Sequence, residues 1–434
     1  MRRARWLGPL LVGTGLGLFW ALAVRPRDAP GTVVPFTLVG TNPYAIAVDV
    51  RARRAVVLNA GSDSVSLLNT ASGRLLSTVA VGHNPSFAAV DLRTNRAFVL
   101  NYGDDTVSVL DTIRVSVLRT VHLQAGVQDV AVDETLGHVF VVTGISTGSA
   151  PGRAYMLDAR TGTILHNAPL GTLPTSVAVD ARTHHVFITN RIGGAVSMLD
   201  AASGRLLRTI PVGSGPMADP VSVAVDGRNG HAFVVNGADF TVSMLDTRSG
   251  AVLRTVPVGA NPRTLAVDPI GARVYVVNRG NATVSVLDAR SGAEVRRVRV
   301  GATRPAFQHD GVTPTDVVVD EQRGRAFVLN GSAMDRAGQL IRGSVSILDL
   351  HSGHEVGRLP VGLSPITLAF DRETGHLFVA NMKGESPIKA APDSWNWVPP
   401  WLAQWLPWHR PALPPNTGSV TVLNAVGPSR ASRR

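Results

Sequence analysis

Twelve histidines, 31 carboxylates and no cysteine set the limits of the chemistry open to this 434-residue chain. Without a thiol it has no cysteine nucleophile, thiolate metal site, disulfide or covalent haem attachment. No Gly-x-Ser-x-Gly elbow, phosphate loop, His-Glu-x-x-His or EF-hand loop occurs in it either. His309 beside Asp310, and His409, are the best placed for acid–base or ligand chemistry. His138, His185, His231 and His376 instead recur at one position of a repeat where other copies carry Arg, and read as turn residues. Repeated Asp and Asn residues read the same way, as turn caps, because a catalytic residue is needed once and not eight times. Residues that break the repeat say more, among them Asp219, Arg304, Asp335, Arg336, Arg342 and Lys383. The densest unusual chemistry is a cluster of Trp395, Trp397, Trp401, Trp405 and Trp408, all the tryptophans beyond the first 24 residues. Pro399-Pro400 can start a short helix that sets Trp401, Trp405 and Trp408 on one side. Such a cluster serves as a lid packed on the scaffold, as a surface for a partner or sugar, or as a membrane-inserting patch. No catalytic constellation, metal site or cofactor is assigned.

These residues are carried by a repeat. Segments of the kind Ser222-Val-Ala-Val-Asp226 end at Asp49, Asp91, Asp133, Asp180, Asp226, Asp268, Asp320 and Asp371. Ten residues after each, a second apolar run ends at Asn59, Asn101, Thr143, Asn190, Asn236, Asn278, Asn330 and Asn381. A Thr-Val-Ser-Val-Leu-Asp pattern follows, and a fourth segment such as Leu253–Gly259 closes the unit. Each is a short Val/Ile/Leu/Phe run bounded by Gly, Asn, Asp or Pro, which is the strand signature. Four short strands, here a to d, in a unit of about 40–50 residues predict the blade of a β-propeller. The eighth copy stops after strand c at Gly418–Asn424, while Thr32–Gly40 matches strand d and lacks a, b and c before it. The expectation is an all-β, eight-bladed β-propeller of four-stranded antiparallel blades, closed by the N-terminal strand completing the C-terminal blade.

Loop lengths then separate two faces. Successive antiparallel strands reverse direction, so the a–b and c–d loops share one face and the b–c and d–a loops the other. The first set keeps constant length, whereas every insertion falls on the second. The insertions are five residues at Thr143–Arg153, four at Gly213–Pro220, ten at Gly301–Pro314, nine at Gly331–Gly343 and thirty-three at Met382–Thr417. Long loops on a rigid scaffold are where binding residues gather, which makes the b–c/d–a face the expected working surface.

Phe187-Ile-Thr-Asn190, Tyr275-Val-Val-Asn278 and the Asp-x-x-Ser-Gly turns at Asp246–Gly250 and Asp288–Gly292 resemble the YVTN repeat family over residues 32–424. That resemblance implies a propeller; its members include surface proteins, binding subunits and enzymes, so it implies no single activity. Thr143 stands in place of the Asn in repeat 3, and Arg114-Val115 replaces Ser-Gly in repeat 2, without threat to the fold.

At the N-terminus Arg2, Arg3 and Arg5 precede an apolar run from Leu7 to Val24 with an Ala21-Leu22-Ala23 cleavage pattern, predicting export. The layout expected is 1–24 a signal peptide or membrane anchor, 25–31 a linker, 32–424 the propeller with its Trp-rich insertion at 382–417, and 425–434 a disordered basic tail. The net charge of +11 comes from arginines strewn over turns, such as Arg54, Arg96, Arg273 and Arg325, and no nucleic-acid role is assigned. The expected function is that of an exported, non-catalytic binding or scaffold protein of the cell envelope, whether secreted, periplasmic or on the cell surface. Its partner is a protein or an envelope glycan, bound near repeats 7 and 8 by Trp395, Trp397, Trp401, Trp405, Trp408, His309, Asp310, Arg304 and Arg336, with a membrane tether if the N-terminal segment stays uncleaved. The alternatives are a lactonase-like hydrolase or lyase with its site at the channel mouth, and a haem- or redox-linked propeller subunit.

Overall fold

The computed structural model describes residues 33–124, 126–144, 151–301, 313–334, 340–383 and 417–425. Among them, strands follow one another with a single 3-10 turn at Arg279–Asn281 and no α-helix. They form six four-stranded antiparallel sheets, one seven-stranded sheet and one two-stranded ribbon, in the manner of a β-propeller.

Burial explains why each segment became the strand it is. Strand b is covered on both faces, so it is apolar throughout rather than alternating: in repeat 2, Ala97, Phe98, Val99, Leu100 and Asn101 have no exposed surface at all. Strand d lies outermost, and Leu206–Pro211 and Val252–Pro257 are largely exposed. The core lies between neighbouring sheets, where Phe98 and Val107 of repeat 2 meet Val139, Val141 and Tyr155 of repeat 3. Burying each such side chain stabilises the stack by about 1.5–3 kcal/mol. No sheet can cover both of its faces alone, which is why the units occur as an array.

The a strands are innermost and pack in sequence, Pro43–Asp49 on Pro85–Asp91 and so on to Pro314–Asp320 on Leu363–Asp371; the last also lies against Pro43–Asp49. Val33–Thr41 pairs antiparallel with Thr417–Asn424, with Thr37 opposite Val420 and Leu38 opposite Ser419. Val39 joins Ala55, Leu68, Phe378 and Val420 in one apolar cluster, and Thr37 Oγ1 donates to the Gly73 carbonyl at 2.6 Å.

Two features depart from a uniform array. The sheets of repeats 3 and 4 are fused, because Ile164–Asp180 runs unbroken from the outer strand of one to the inner strand of the next. This seam carries no insertion, and Thr172 pairs with both Pro151 and Ile192, so the ladder never lapses. In repeat 2, Val115 holds φ +58°, where Gly73, Gly204 and Gly250 hold +68° to +72°. The turn is kept, at the strain a β-branched residue carries in the left-handed region.

The 1–24, 25–31 and 426–434 segments, and residues 384–416 of the Trp-rich insertion, lie outside the described residues. In the insertion of repeat 7, Ala333–Met334 and Leu340–Ile341 form the small ribbon.

Candidate functional site

Three surfaces carry the candidate residues: the b–c/d–a face, the inner strands and the a–b/c–d face. On the b–c/d–a face, the residues singled out from sequence, Trp395, Trp397, Trp401, Trp405, Trp408, His309, Asp310, Arg304 and Arg336, lie outside the described residues. Of the other repeat-breaking residues on that face, Asp219 takes a two-pronged ion pair from Arg191, Nε to Oδ1 at 2.6 Å and Nη2 to Oδ2 at 3.1 Å. The pair ties the b–c loop of repeat 4 to the entry of repeat 5. Between repeats 1 and 2, His83 Nδ1 meets Asp63 at 2.8 Å, while Asn84 N–H donates to the other oxygen of Asp63 at 2.8 Å. The Asn84 bond, then His83, lowers the Asp63 pKa, and the bond to Asp63 raises that of His83. Tyr44 and Phe87 stand edge to face at 6.4 Å where the inner strands begin on this face, and both are about two-fifths exposed (40% and 42%).

Inside, at the position four residues before the repeated Asp, repeats 3 and 7 carry Asp129 and Asp316 where others carry Ala45, Phe87, Ser222 or Thr264. Asp129 accepts from Val177 N–H at 3.0 Å and from Val130 N–H at 2.8 Å. Asp316 accepts from Thr367 Oγ1 at 2.9 Å and from Val317 N–H at 2.9 Å. Each carboxylate therefore reaches the inner strand of the next repeat. Both keep a part of their surface accessible while protein surrounds them. Burial outweighs the donated hydrogen bonds: it pushes Asp129 up to about 6 and raises Asp316. The sequence marks these sites by an acid at this position in only two of eight copies.

The third surface is the mouth on the a–b/c–d face, the side of constant loop length. A cavity of about 480 Å³ opens there, walled by Val48, Val50, Ile270 and Phe370, with Glu321 and Arg372 in its lining. Burial and then Asp268 raise the Glu321 pKa, Arg372 lowers it, and Asp226 and Asp320 add to the rise. The insertions all lie on the other face. Loop length carries no information about a cavity formed by short turns converging from five repeats. Among the described residues, no group of three or more His, Asp or Glu is arranged to hold a metal ion.

A family model described as PQQ_2, outer membrane protein assembly factor BamB, matches residues 61–298, more than half of the chain. The chain belongs to this family. The match runs from the b–c loop of repeat 1 to the outer strand of repeat 6. The BamB family is a propeller-repeat family other than the YVTN one that the motifs resemble. A crystal structure of a functionally unknown protein from Desulfotomaculum acetoxidans shares the fold at 18% identity and a TM-score of 0.51, covering 71% of this chain and 95% of that one. No curated protein matches the chain.

Proposed function

We propose that this BamB-family propeller is an exported, non-catalytic binding or scaffold protein of the cell envelope that holds its partner on the b–c/d–a face near repeats 7 and 8. The observation that carries this reading is the family match itself, whose description names an assembly factor of the outer membrane. One-sided placement of the insertions supports the choice of face, since loops on a rigid scaffold present binding groups at little cost to the core. The partner is a protein or an envelope glycan, and Trp395, Trp397, Trp401, Trp405, Trp408, Arg304, His309, Asp310 and Arg336 are the contacts proposed. Residues 1–24 serve as the export signal or anchor in this reading, which agrees with the outer-membrane term in the family description.

The scaffold is read as eight blades, with the seven-stranded sheet counted as two that share the strand Ile164–Asp180. Support comes from the pairing of Val33–Thr41 with Thr417–Asn424 and from the packing of Leu363–Asp371 on Pro43–Asp49. The Asn-terminated b strands and Asp-x-x-Ser-Gly turns keep the YVTN-like repeat as the finer description of each unit.

Replacing residues 384–416 with a short Gly/Ser linker tests the functional reading. Cross-linked partner recovered from envelope preparations is expected to fall at least about tenfold, with the thermal midpoint unchanged. Undiminished recovery would defeat the assignment of this face.

A further inference from the structure

The cavity on the a–b/c–d face faces away from the proposed partner surface, and its lining has a chemistry of its own. Its lining is of two kinds, an apolar part from Val48, Val50, Leu92, Ile270, Val318 and Phe370 of five different repeats and a polar part from Asp320, Glu321, Gln322 and Arg372. Ile270 leaves 56% of its surface in solvent at this rim, so the cavity presents apolar area that no described residue covers. A volume of about 480 Å³ is that of a small-molecule site.

Charge in the lining is unbalanced. Glu321 and Asp320 line the cavity, and Asp268 and Asp226 lie close enough to act on Glu321. Three of these four carboxylates are committed to their own turns. Asp320 accepts from Arg323 N–H and Arg323 Nη1, Asp226 from Arg228 and Asn229 N–H, and Asp268 from Gly271 N–H. Glu321 differs. It is half-buried, and no hydrogen bond from a described residue reaches it. Arg372 also lines the cavity and acts on Glu321 through space without closing an ion pair with it. A carboxylate that is partly desolvated, undonated and set among like charges is relieved by a cation brought beside it. An anion at the same spot would meet the carboxylates of Glu321, Asp320, Asp268 and Asp226 against the guanidiniums of Arg372 and Arg323, the second of them already paired with Asp320 at 3.3 Å.

We propose that this channel mouth binds a small ligand with an apolar chain and one cationic head, of the alkylammonium class, the head paired with Glu321 and the chain laid against Ile270, Val48, Val50 and Phe370. Val48 and Phe370 lie at the ends of inner strands, and Val50, Ile270 and Glu321 in the short turns that follow such strands, so the site is preformed and gains affinity by losing little freedom on binding.

Calorimetric titration of the full chain with hexylammonium, hexan-1-ol and hexanoate tests the proposal, since the three share a chain and differ in the head. Hexylammonium is expected to bind at least about tenfold more tightly than hexanol, and hexanoate more weakly than either. Glu321→Gln is expected to bring hexylammonium down to the hexanol level and leave hexanol unchanged. Ile270→Ser, at an exposed position that the fold tolerates, weakens both by a similar factor. N-acetyl-lysine methylamide separates a free amine from a peptide-borne one, and the proposal requires it to bind more weakly than hexylammonium. Equal binding of the three heads, preference for hexanoate, an unaltered Glu321→Gln variant or tighter binding of the lysine derivative would each overturn it. Because this face is opposite the partner surface, loss of partner capture and loss of amine binding fail independently.

Discussion

His138, His185, His231 and His376 each aim Nδ1 at a backbone carbonyl of the following repeat, those of Ala201, Thr247, Ala289 and Thr70, at 2.7–2.8 Å. A carbonyl only accepts, so Nδ1 must carry the proton, and each ring is a staple between sheets. Arg325 does the same work in repeat 7, donating to the Ala425 carbonyl at 2.9 Å. Arg54 and Arg273, at the same position of repeats 1 and 6, donate instead to carbonyls of their own turns, those of Arg53 and Ala272. The repeated Asn has a similar explanation: Asn101, Asn236 and Asn278 donate through Nδ2 to Ser108, Ser243 and Ser285 at 2.9 Å, which accounts for the Ser in strand c. A Cβ at Gly259 would come within 2.5 Å of the Asn278 side chain, which accounts for the glycine after strand d. Tyr275 breaks the pattern. Its ring fills the place of Phe98, Phe233 and Phe327, but its hydroxyl is buried without a partner, and burial raises its pKa. Since a buried hydroxyl left unbonded costs about 1–3 kcal/mol, Tyr275→Phe is expected to stabilise the protein by about 1 kcal/mol in denaturant unfolding. A loss of stability would show that the hydroxyl is satisfied.

At the scale of the element, the seams between repeats carry the stored cost. Asn42, Asn84, Asn261 and Asp219 precede prolines with φ of +50° to +53°, a region that short polar side chains tolerate. Leu173 takes φ +52° at the fused seam with no such tolerance, held there by the unbroken strand on either side. Asp129 adds an electrostatic cost at the same seam. Its folded-state pKa of about 6 stands above the ordinary 3.8, so the native state binds this proton more tightly than the unfolded chain does. Stability contributed by the protonated form is therefore complete below pH 3.8, falls as pH rises between the two values, and is gone above about 6. The slope amounts to about 1–3 kcal/mol across that window. Asp129→Asn is expected to flatten it in urea titrations at pH 4, 5, 6 and 7. An unchanged slope would mean that Asp129 does not titrate there.

For the whole molecule, the weight falls on the pairing of the first described strand with the last. Removing residues 33–41 would expose the edge of Thr417–Asn424 and strip Val39 from the cluster with Phe378 and Val420. Such an edge invites pairing with another chain. A chain beginning at residue 42 is expected to lose roughly 3–5 kcal/mol, with a lower thermal midpoint and aggregation on heating, and added peptide of residues 33–41 is expected to restore part of the loss. A midpoint equal to that of the full chain would show that the pairing contributes little.

Strand identity, repeat length and the division of the loops between two faces were legible in the sequence, because they are set by side-chain alternation and turn residues within about 40 positions. The repeated Asp was legible for the same reason, and it caps its turn as at Ala52 N–H to Asp49, 2.8 Å. Tertiary structure alone decided the rest. His376 meets Thr70 across 306 positions, Arg191 finds Asp219, and Glu321 comes to share a cavity with Val50 and Leu92. Those meetings depend on how sheets stack about an axis, and a periodic pattern states which side of a strand faces its neighbour but not which charges the stacking brings together.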